Sequence, residues 1–126
     1  MKVVPRDTFY IDPQGGTNHH LWIVLAVYTP DLSYDEFAII VNITSMKKGA
    51  DTTCILRPDD RDAHGFVTHE SYAFFGACLD VETTKLLALS AQRRDPIPHT
   101  LLARLRIGLH KSPYTRRGIK SKVPRP

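Results

Sequence analysis

The sequence predicts an α+β domain that is mostly β: a small, strongly bent antiparallel sheet or barrel with helices near the C-terminus. Two apolar runs of strand length, residues 21–28 and 37–43, indicate central strands. After Glu82 the apolar spacing changes to that of a helix. The chain has 126 residues, the usual size of a single domain, and strands followed by helices are typical of α+β folds.

Strands are predicted where β-branched and aromatic residues run between turn residues. Gly15 and Gly16 close the first strand, and Pro58 closes the fourth. The run over 20–28 is almost continuously apolar, which indicates a strand covered on both faces. The predicted strands are 7–12, 20–28, 37–43, 52–56, 66–75 and 78–81.

Two helices are predicted after these strands, covering one side or end of the sheet. Thr83 or Thr84 caps a short helix that runs to Ala91 and stops before Asp95-Pro96. Pro98 suits the first turn of a second helix, whose apolar stripe is Leu101, Leu102, Leu105 and Leu109. Residues 1–112 are therefore expected to form the domain, and residues 113–126 a basic, flexible tail.

Composition narrows the class of protein. Hydrophobic residues make up 42% and charged residues 24%, which is typical of a globular chain. The apolar runs are too short to span a bilayer, and the N-terminus lacks a signal-type apolar core, so a cytoplasmic protein without a membrane segment is expected. Cys54 and Cys78 lie in apolar, strand-like surroundings and are expected to be buried thiols.

The net charge is +4, and the basic excess is concentrated near the C-terminus. From Arg104 onward the chain carries eight Lys or Arg residues and no acidic residue. Such a segment attracts polyanions by releasing their counterions, which favours RNA as a partner. The alternative interpretation of the last ten or so residues is a solvated end that aids solubility.

Several common kinds of site are not expected. Gly15-Gly16 is followed by a strand and not by the helix of a phosphate-binding loop, and none of the six histidines has zinc-ligand spacing with a cysteine. His64 and His69 could reach a common point but lack a third nearby ligand. Ser71 lacks the strand-to-helix elbow of a hydrolase nucleophile. No metal or cofactor is predicted.

Polar side chains are found at the start of one central strand, 20–28, and just after the end of the other, 37–43. They are expected to converge at one rim of the sheet if the two strands are neighbours. Two histidines lie at the start of the strand 20–28, and two hydroxyls and two ammonium groups follow the strand 37–43. These residues are His19, His20, Thr44, Ser45, Lys47 and Lys48. Ordinary turn capping and a strand-end histidine are the structural alternatives. Farther on, His69 and Ser71 share a strand face and could bind a phosphate or form a cross-strand hydrogen bond.

Four segments, taken in order, resemble the PemK, Kid and MazF toxins of bacterial toxin-antitoxin pairs. They are Arg6-Asp7-Thr8-Phe9, the loop 13–19 with the strand 21–25 after it, Ile39 to Ser45 with its Ile-Thr-Ser ending, and Gly65 to Ser71. The resemblance covers about residues 6–112. It implies an SH3-like barrel, a homodimer, RNA as substrate and an acidic antitoxin as partner.

The resemblance places the family's catalytic threonine at Thr44 and its positive loop position at His19 or His20. Where these toxins carry an arginine in a later strand, this chain reads Gly-Ala-Cys-Leu-Asp over residues 76–80. Two alternatives follow. Another cation, such as Lys47, Lys48 or Arg57, supplies the charge, or the protein binds RNA without cutting it.

The first function predicted is a metal-independent endoribonuclease acting on single-stranded RNA. Histidine suits proton transfer near neutral pH because the free side chain titrates at about 6.5. The catalytic assignment is His20, Thr44 and His69, and the substrate-binding assignment is His19, Ser45, Lys47, Lys48 and Ser71. The alternative is a non-catalytic interaction protein, either an inhibitor of a protein target, as CcdB toxins are, or an RNA-binding module.

Overall fold

The computed structural model describes residues 2–125 and arranges seven strands in one sheet whose pairs are all antiparallel. The strands are β1 (Thr8–Ile11), β2 (His20–Tyr28), β3 (Phe37–Ser45), β4 (Ile55–Leu56), β5 (Ser71–Ala73), β6 (Leu79–Glu82) and β7 (Arg93–Arg94). Their order is β4-β5-β3-β2-β1-β7, and β6 pairs with the N-terminal half of β3. The predicted α+β class with a mostly antiparallel sheet is confirmed, and the described sheet is open at β4 and β7.

The two long central strands, β2 and β3, are apolar on both faces because both faces are covered. One face contributes Leu21, Ile23, Val41 and Ile43 to the larger hydrophobic cluster. The other contributes Trp22, Val24 and Ile40 to a second cluster, which Phe9 of β1 joins. The two apolar runs predicted as central strands contain Trp22, Val24, Ile39 and Val41, and all four are buried.

The helices are α1 (Thr83–Ala88), α2 (His99–Lys111) and α3 (Arg117–Lys120). Leu101, Leu105 and Leu109 of α2 pack into the larger cluster, whereas Leu86 of α1 packs into the second. The prediction that the helices cover one side or end of the sheet is therefore wrong, because α1 and α2 pack on opposite faces. Both faces of β2 and β3 are apolar, so each face requires a cover of its own.

A bulge in β2 contributes to the bend of the sheet. The register with β3 shifts between Val24 and Ala26, and Leu25 lies at the shift. The Leu25 carbonyl accepts two hydrogen bonds from the Arg106 guanidinium, at 3.0 and 2.8 Å. Burial lowers the pKa of Arg106. Arg106 is thus a structural residue that satisfies the irregular backbone of a central strand.

The shorter strands differ from the prediction over 52–56 and 66–75. Only Ile55 and Leu56 of the first segment pair, because the Asp51 carboxylate accepts hydrogen bonds from Thr53 N at 3.0 Å and Thr53 Oγ1 at 2.6 Å and turns the chain there. The second segment pairs only over Ser71–Ala73 before a 3₁₀ turn. The short strand β7 was not predicted, because its two residues are both arginines.

The C-terminal segment was predicted to be a flexible tail, and that prediction is wrong for most of it. Ile119 and Val123 are buried in the larger cluster. Ser112 Oγ donates to Asp51 Oδ2 at 2.6 Å, and Lys122 Nζ lies 2.9 Å from Asp80 Oδ2. Ile119 belongs to α3 (Arg117–Lys120), and Val123 lies in the turn that follows it. Basic residues surround both positions in the sequence and concealed their burial.

Both cysteines are buried free thiols, as predicted. Burial raises the pKa of Cys54 to about 11 and that of Cys78 to about 12. Among the helices of residues 2–125, none is long and apolar enough to cross a membrane.

Candidate functional site

A cavity of about 420 Å³ opens on the sheet face that carries Trp22, beside the start of β2 and the end of β3. Its polar lining comes from the two strands, from the loop after β1, from the loop after β3 and from the C-terminal segment. These residues are Asp12, Gln14, Asn18, His20, Asn42, Thr44, Lys47 and Arg116. Trp22, Phe74 and Leu79 contribute apolar surface. The volume lies within the range of small-ligand sites, about 300–1,000 Å³.

Strand register explains why His20 and Thr44 share this cavity. Trp22 pairs with Asn42, and Leu21 pairs with Ile43 in the antiparallel ladder. Since side chains alternate between the faces of a strand, His20, Trp22, Asn42 and Thr44 lie on one face. The prediction that these strands are neighbours is confirmed. The structure brings together three of the residues predicted from the sequence: His20, Thr44 and Lys47.

Asn42 is a site residue that the sequence interpretation missed. Its side chain is 7% exposed, and its Oδ1 accepts a hydrogen bond of 3.4 Å from Thr44 Oγ1. Its amide nitrogen remains as a donor. A lone polar residue inside the apolar run 37–43 was the available signal, because buried amides need a partner.

Trp22 contributes to the cavity as apolar surface and not as a donor. Its indole Nε1 is buried and has no acceptor among residues 2–125. A buried donor without an acceptor costs about 1–3 kcal/mol. The amide nitrogen of Asn42 is therefore the side-chain donor of this part of the lining that favours an acceptor on the ligand.

Lys47 and Arg116 supply the positive charge of the cavity, and neither lies within 4.0 Å of a carboxylate among residues 2–125. Lys47 Nζ lies 6.0 Å from the centre of the Phe74 ring. The Arg116 guanidinium donates to the Cys78 carbonyl oxygen, which fixes it beside the segment over 76–80. Arg116 could not be found from local sequence, since only docking of the C-terminal segment brings it there.

The other cations that were considered lie elsewhere. Lys48 is exposed and does not line the cavity. Arg57 forms a 3.0 Å ion pair with Glu70, in which both side chains are about half exposed. Of the three cations proposed from the sequence to replace the family arginine, only Lys47 lines the cavity.

The loop over 13–19 forms one wall, and Asp12 holds it in place. The Asp12 carboxylate accepts hydrogen bonds from Gln14 N at 3.0 Å and Asn18 N at 3.1 Å. These bonds, that from Gln14 above all, lower the pKa of Asp12 and keep it ionised. A Cβ at Gly16 would lie 2.6 Å from Asp12 Oδ2, so a larger residue there would displace the carboxylate that holds the loop.

His69, Ser45 and Ser71 do not join this cavity. Ser45 Oγ and His69 Nε2 share a hydrogen bond of 2.6 Å, and Ser71 Oγ donates to the His69 carbonyl at 3.0 Å. Ser45 follows Thr44 in β3, so it points to the opposite face. The predicted pairing of His69 with His20 at one site is therefore wrong.

His19 lies outside the cavity lining as well. Its Nδ1 donates to the Thr17 carbonyl at 3.1 Å, and its exposed ring lies against Tyr10 with centroids 5.4 Å apart. His19 directly precedes β2 and His20 is its first residue, so in extended backbone the two side chains point to opposite sides of the sheet.

His64 has a structural role. Its Nε2 donates to the Asp95 carbonyl at 2.6 Å, and its Nδ1 accepts from Phe66 N at 3.0 Å, so both ring nitrogens are engaged. Over residues 2–125, no three or more His, Cys, Asp or Glu side chains are grouped so that they could hold a metal ion.

No protein-family model, no curated protein and no solved structure matches this chain. The chemistry of the cavity is therefore the main guide to function. The lining holds an imidazole, a hydroxyl, two cations and two aromatic rings beside the ionised Asp12 carboxylate, which accepts hydrogen bonds from the loop backbone. Two cations against one carboxylate leave a net positive charge, which suits an anionic ligand with a flat, acceptor-rich part.

Proposed function

We propose that the protein is a metal-independent endoribonuclease that acts on single-stranded RNA. The observation that carries the proposal is that His20, Thr44, Lys47 and Arg116 line one cavity. A nucleotide meets this set well, since its phosphate needs cations and hydroxyl donors and its base needs a flat apolar surface. Trp22 and Phe74 supply such a surface in the same cavity.

In the proposed reaction the His20 imidazole accepts the proton of a ribose 2′-hydroxyl. The 2′-oxygen forms a bond to the adjacent phosphorus, and the bond between phosphorus and the 5′-oxygen breaks. The Lys47 ammonium gives the leaving 5′-oxygen its proton. The products are a 2′,3′-cyclic phosphate and a free 5′-hydroxyl. His20 is partly exposed and lines the cavity, so its imidazole can reach a ligand bound there.

Arg116 and Thr44 would stabilise the phosphate as charge develops on its oxygens. Arg116 presents a planar fork of donors, which matches phosphate geometry. The hydrogen bond from Thr44 to Asn42 is long, at 3.4 Å, so the hydroxyl can turn to a phosphate oxygen at little cost. Preorganised donors of this kind provide a large share of catalysis in many enzymes.

The proposal includes the biological setting that the toxin resemblance implies. The chain would be the toxin of a toxin-antitoxin pair, with an SH3-like bent sheet, a homodimeric form and an acidic antitoxin as partner. The support is the open antiparallel sheet with its bulged central strand, and the cationic cavity to which an acidic segment could also bind.

A non-catalytic RNA-binding module is the second candidate, and one observation favours it. Among residues 2–125, His20 is the only histidine in the cavity lining, so these residues offer no second imidazole there for a two-histidine acid–base cycle. The cations and aromatic rings would still bind a nucleotide in that case.

Incubating the pure protein with labelled single-stranded RNA, with and without chelator, tests the proposal. Cleavage is expected in both conditions. His20→Ala should lower the rate roughly a hundredfold to ten-thousandfold, because it removes the general base. Thr44→Ala should cost less, since it removes one neutral donor that water can partly replace.

His69→Ala is the matched control, because this histidine lies outside the cavity lining, and its rate should stay near that of the parent protein. Circular dichroism must show that each variant is folded. Unchanged cleavage by His20→Ala would contradict the proposed site. Firm RNA binding without cleavage by the parent protein would favour the non-catalytic module.

A further inference from the structure

Four side chains beside β1 form a continuous, partly exposed surface outside the cavity. The Tyr10 ring lies 5.4 Å from the His19 ring and 5.0 Å from the Phe66 ring, between ring centroids. The guanidinium carbon of Arg94 lies 5.6 Å from the centre of the Tyr10 ring. We call Tyr10, His19, Phe66 and Arg94 the stacking platform.

The stacking platform is open to ligands. Phe66 is 39% exposed, and His19 and Arg94 are exposed as well. Within residues 2–125 no carboxylate lies within 4.0 Å of the Arg94 guanidinium, whereas Arg93 is paired with Asp7 at 3.2 Å. The Arg94 guanidinium donates only to the Arg93 carbonyl, at 3.4 Å, so the surface combines exposed aromatic area with one positive charge that no carboxylate neutralises among residues 2–125.

A shallow groove of about 600 Å³ runs beside this surface. Phe66, Arg93, Arg94 and Asp95 are among its lining residues. The exposed Asp95 carboxylate disfavours a phosphate at its end of the groove, so a phosphate would lie toward Arg94. The volume of the groove is large enough for a base and its sugar-phosphate backbone to lie beside the rings.

We propose that the stacking platform binds bases of single-stranded RNA that extend beyond the cavity. Aromatic rings with an arginine beside them are the usual means of holding single strands, because every base offers a flat face for stacking. The proposal rests on the proposed function for its ligand, RNA. It adds a second binding site on a different surface of the sheet.

The two sites meet at the start of β2. His20 belongs to the cavity, and the preceding residue, His19, belongs to the stacking platform. Successive residues of an extended strand point to opposite sides. A single RNA strand that passes the loop over 13–19 can therefore contact both sites, which one nucleotide cannot do.

Fluorescence anisotropy with 2′-O-methyl RNA tests the platform without cleavage, because the modified sugar lacks the attacking hydroxyl. The probes are a labelled mixed-sequence dodecamer and a labelled dinucleotide. Phe66→Ala should weaken dodecamer binding roughly fivefold to a hundredfold, the effect of one lost stacking contact, and leave dinucleotide binding unchanged. Arg94→Gln should lower the slope of log affinity against log salt by about one.

Tyr34→Ala is the matched control, because Tyr34 is a fully exposed aromatic residue in the loop between β2 and β3, at the opposite end of β2 from His19. The dodecamer affinity of this variant should equal that of the parent. Melting temperatures of all variants must agree. Equal dodecamer affinity of Phe66→Ala and the parent overturns the platform, as does absence of dodecamer binding by the parent. If RNA is not cleaved but Phe66→Ala still weakens binding, the nuclease proposal fails and the platform stands.

Discussion

Arg116 is the residue whose replacement most directly tests how the C-terminal segment contributes to the cavity. It lines the cavity, its guanidinium donates to the Cys78 carbonyl, and no carboxylate within 4.0 Å neutralises it among residues 2–125. Its neighbour Arg117 has the same charge but does not line the cavity. Replacing either arginine with alanine changes the net charge equally, but only Arg116→Ala removes a cation from the cavity and the hydrogen bond to the Cys78 carbonyl.

The expected loss follows from the charge that Arg116 would offer to the phosphate. Removing one preorganised donor to a developing oxyanion costs on the order of a hundredfold to a thousandfold in kcat, about 2.7–4 kcal/mol. The lost hydrogen bond to Cys78 is a separate effect and should lower the free energy of unfolding by about 1 kcal/mol. Arg116→Lys keeps the charge without the planar fork, so partial recovery of the rate is expected.

Steady-state cleavage of labelled RNA measures these effects, with melting curves as the folding control. Arg117→Ala should stay within about twofold of the parent, since an exposed charge outside the site changes mainly encounter rates. If Arg116→Ala and Arg117→Ala lose the same small amount of activity, Arg116 has no part in the site. The packed C-terminal segment would then serve stability alone.

Two further predictions concern stability. Because the pKa values of Cys54 and Cys78 in the folded protein, about 11 and 12, exceed that of an unfolded thiol, the unfolded chain releases these protons first as pH rises. The free energy of unfolding, measured by urea denaturation, should fall by about 2–3 kcal/mol between about pH 8 and pH 10. The variant with both cysteines replaced by alanine should lose most of this pH dependence. If its free energy of unfolding falls as steeply with pH as that of the parent, the two thiols are not the cause. Ile119→Ala should cost about 2–5 kcal/mol because it empties a buried site, whereas Leu32→Ala, a matched aliphatic change at a fully exposed position, should have little effect. Equal denaturation midpoints for these two variants would show that the C-terminal segment does not pack on the core.

Much of the fold could be predicted because its signals are local. The nine-residue strand β2 begins and ends at the predicted residues, 20 and 28, since turn residues flank a continuous apolar run. Helix α2 follows Pro98 with the predicted leucine stripe buried. Because His20 opens one predicted central strand and Thr44 follows the other, the two were expected at one rim if the strands are neighbours, and the strands do pair.

Other features depend on contacts between distant segments, and no local pattern encodes them. Ser45 directly follows Thr44, but strand alternation points its side chain to the opposite face of the sheet. There it shares a hydrogen bond with His69, so neither residue joins Thr44 in the cavity. The short strand β7 exists because Arg93 and Arg94 pair with β1, more than eighty positions away. Pairing with a distant strand can impose extended structure on residues with no strand pattern of their own.

The sequence by itself determined the α+β class, the two apolar central strands and the residue types that could handle a phosphate, because burial and backbone preference are recorded in local spacing. Only the tertiary structure decided which of those residues share a cavity. Asn42 joins it through strand register, and Arg116 joins it because Ile119 and Val123 anchor the C-terminal segment in the core. Packing between segments that are distant in the sequence decides which side chains lie close together in space, and local sequence patterns do not record those contacts.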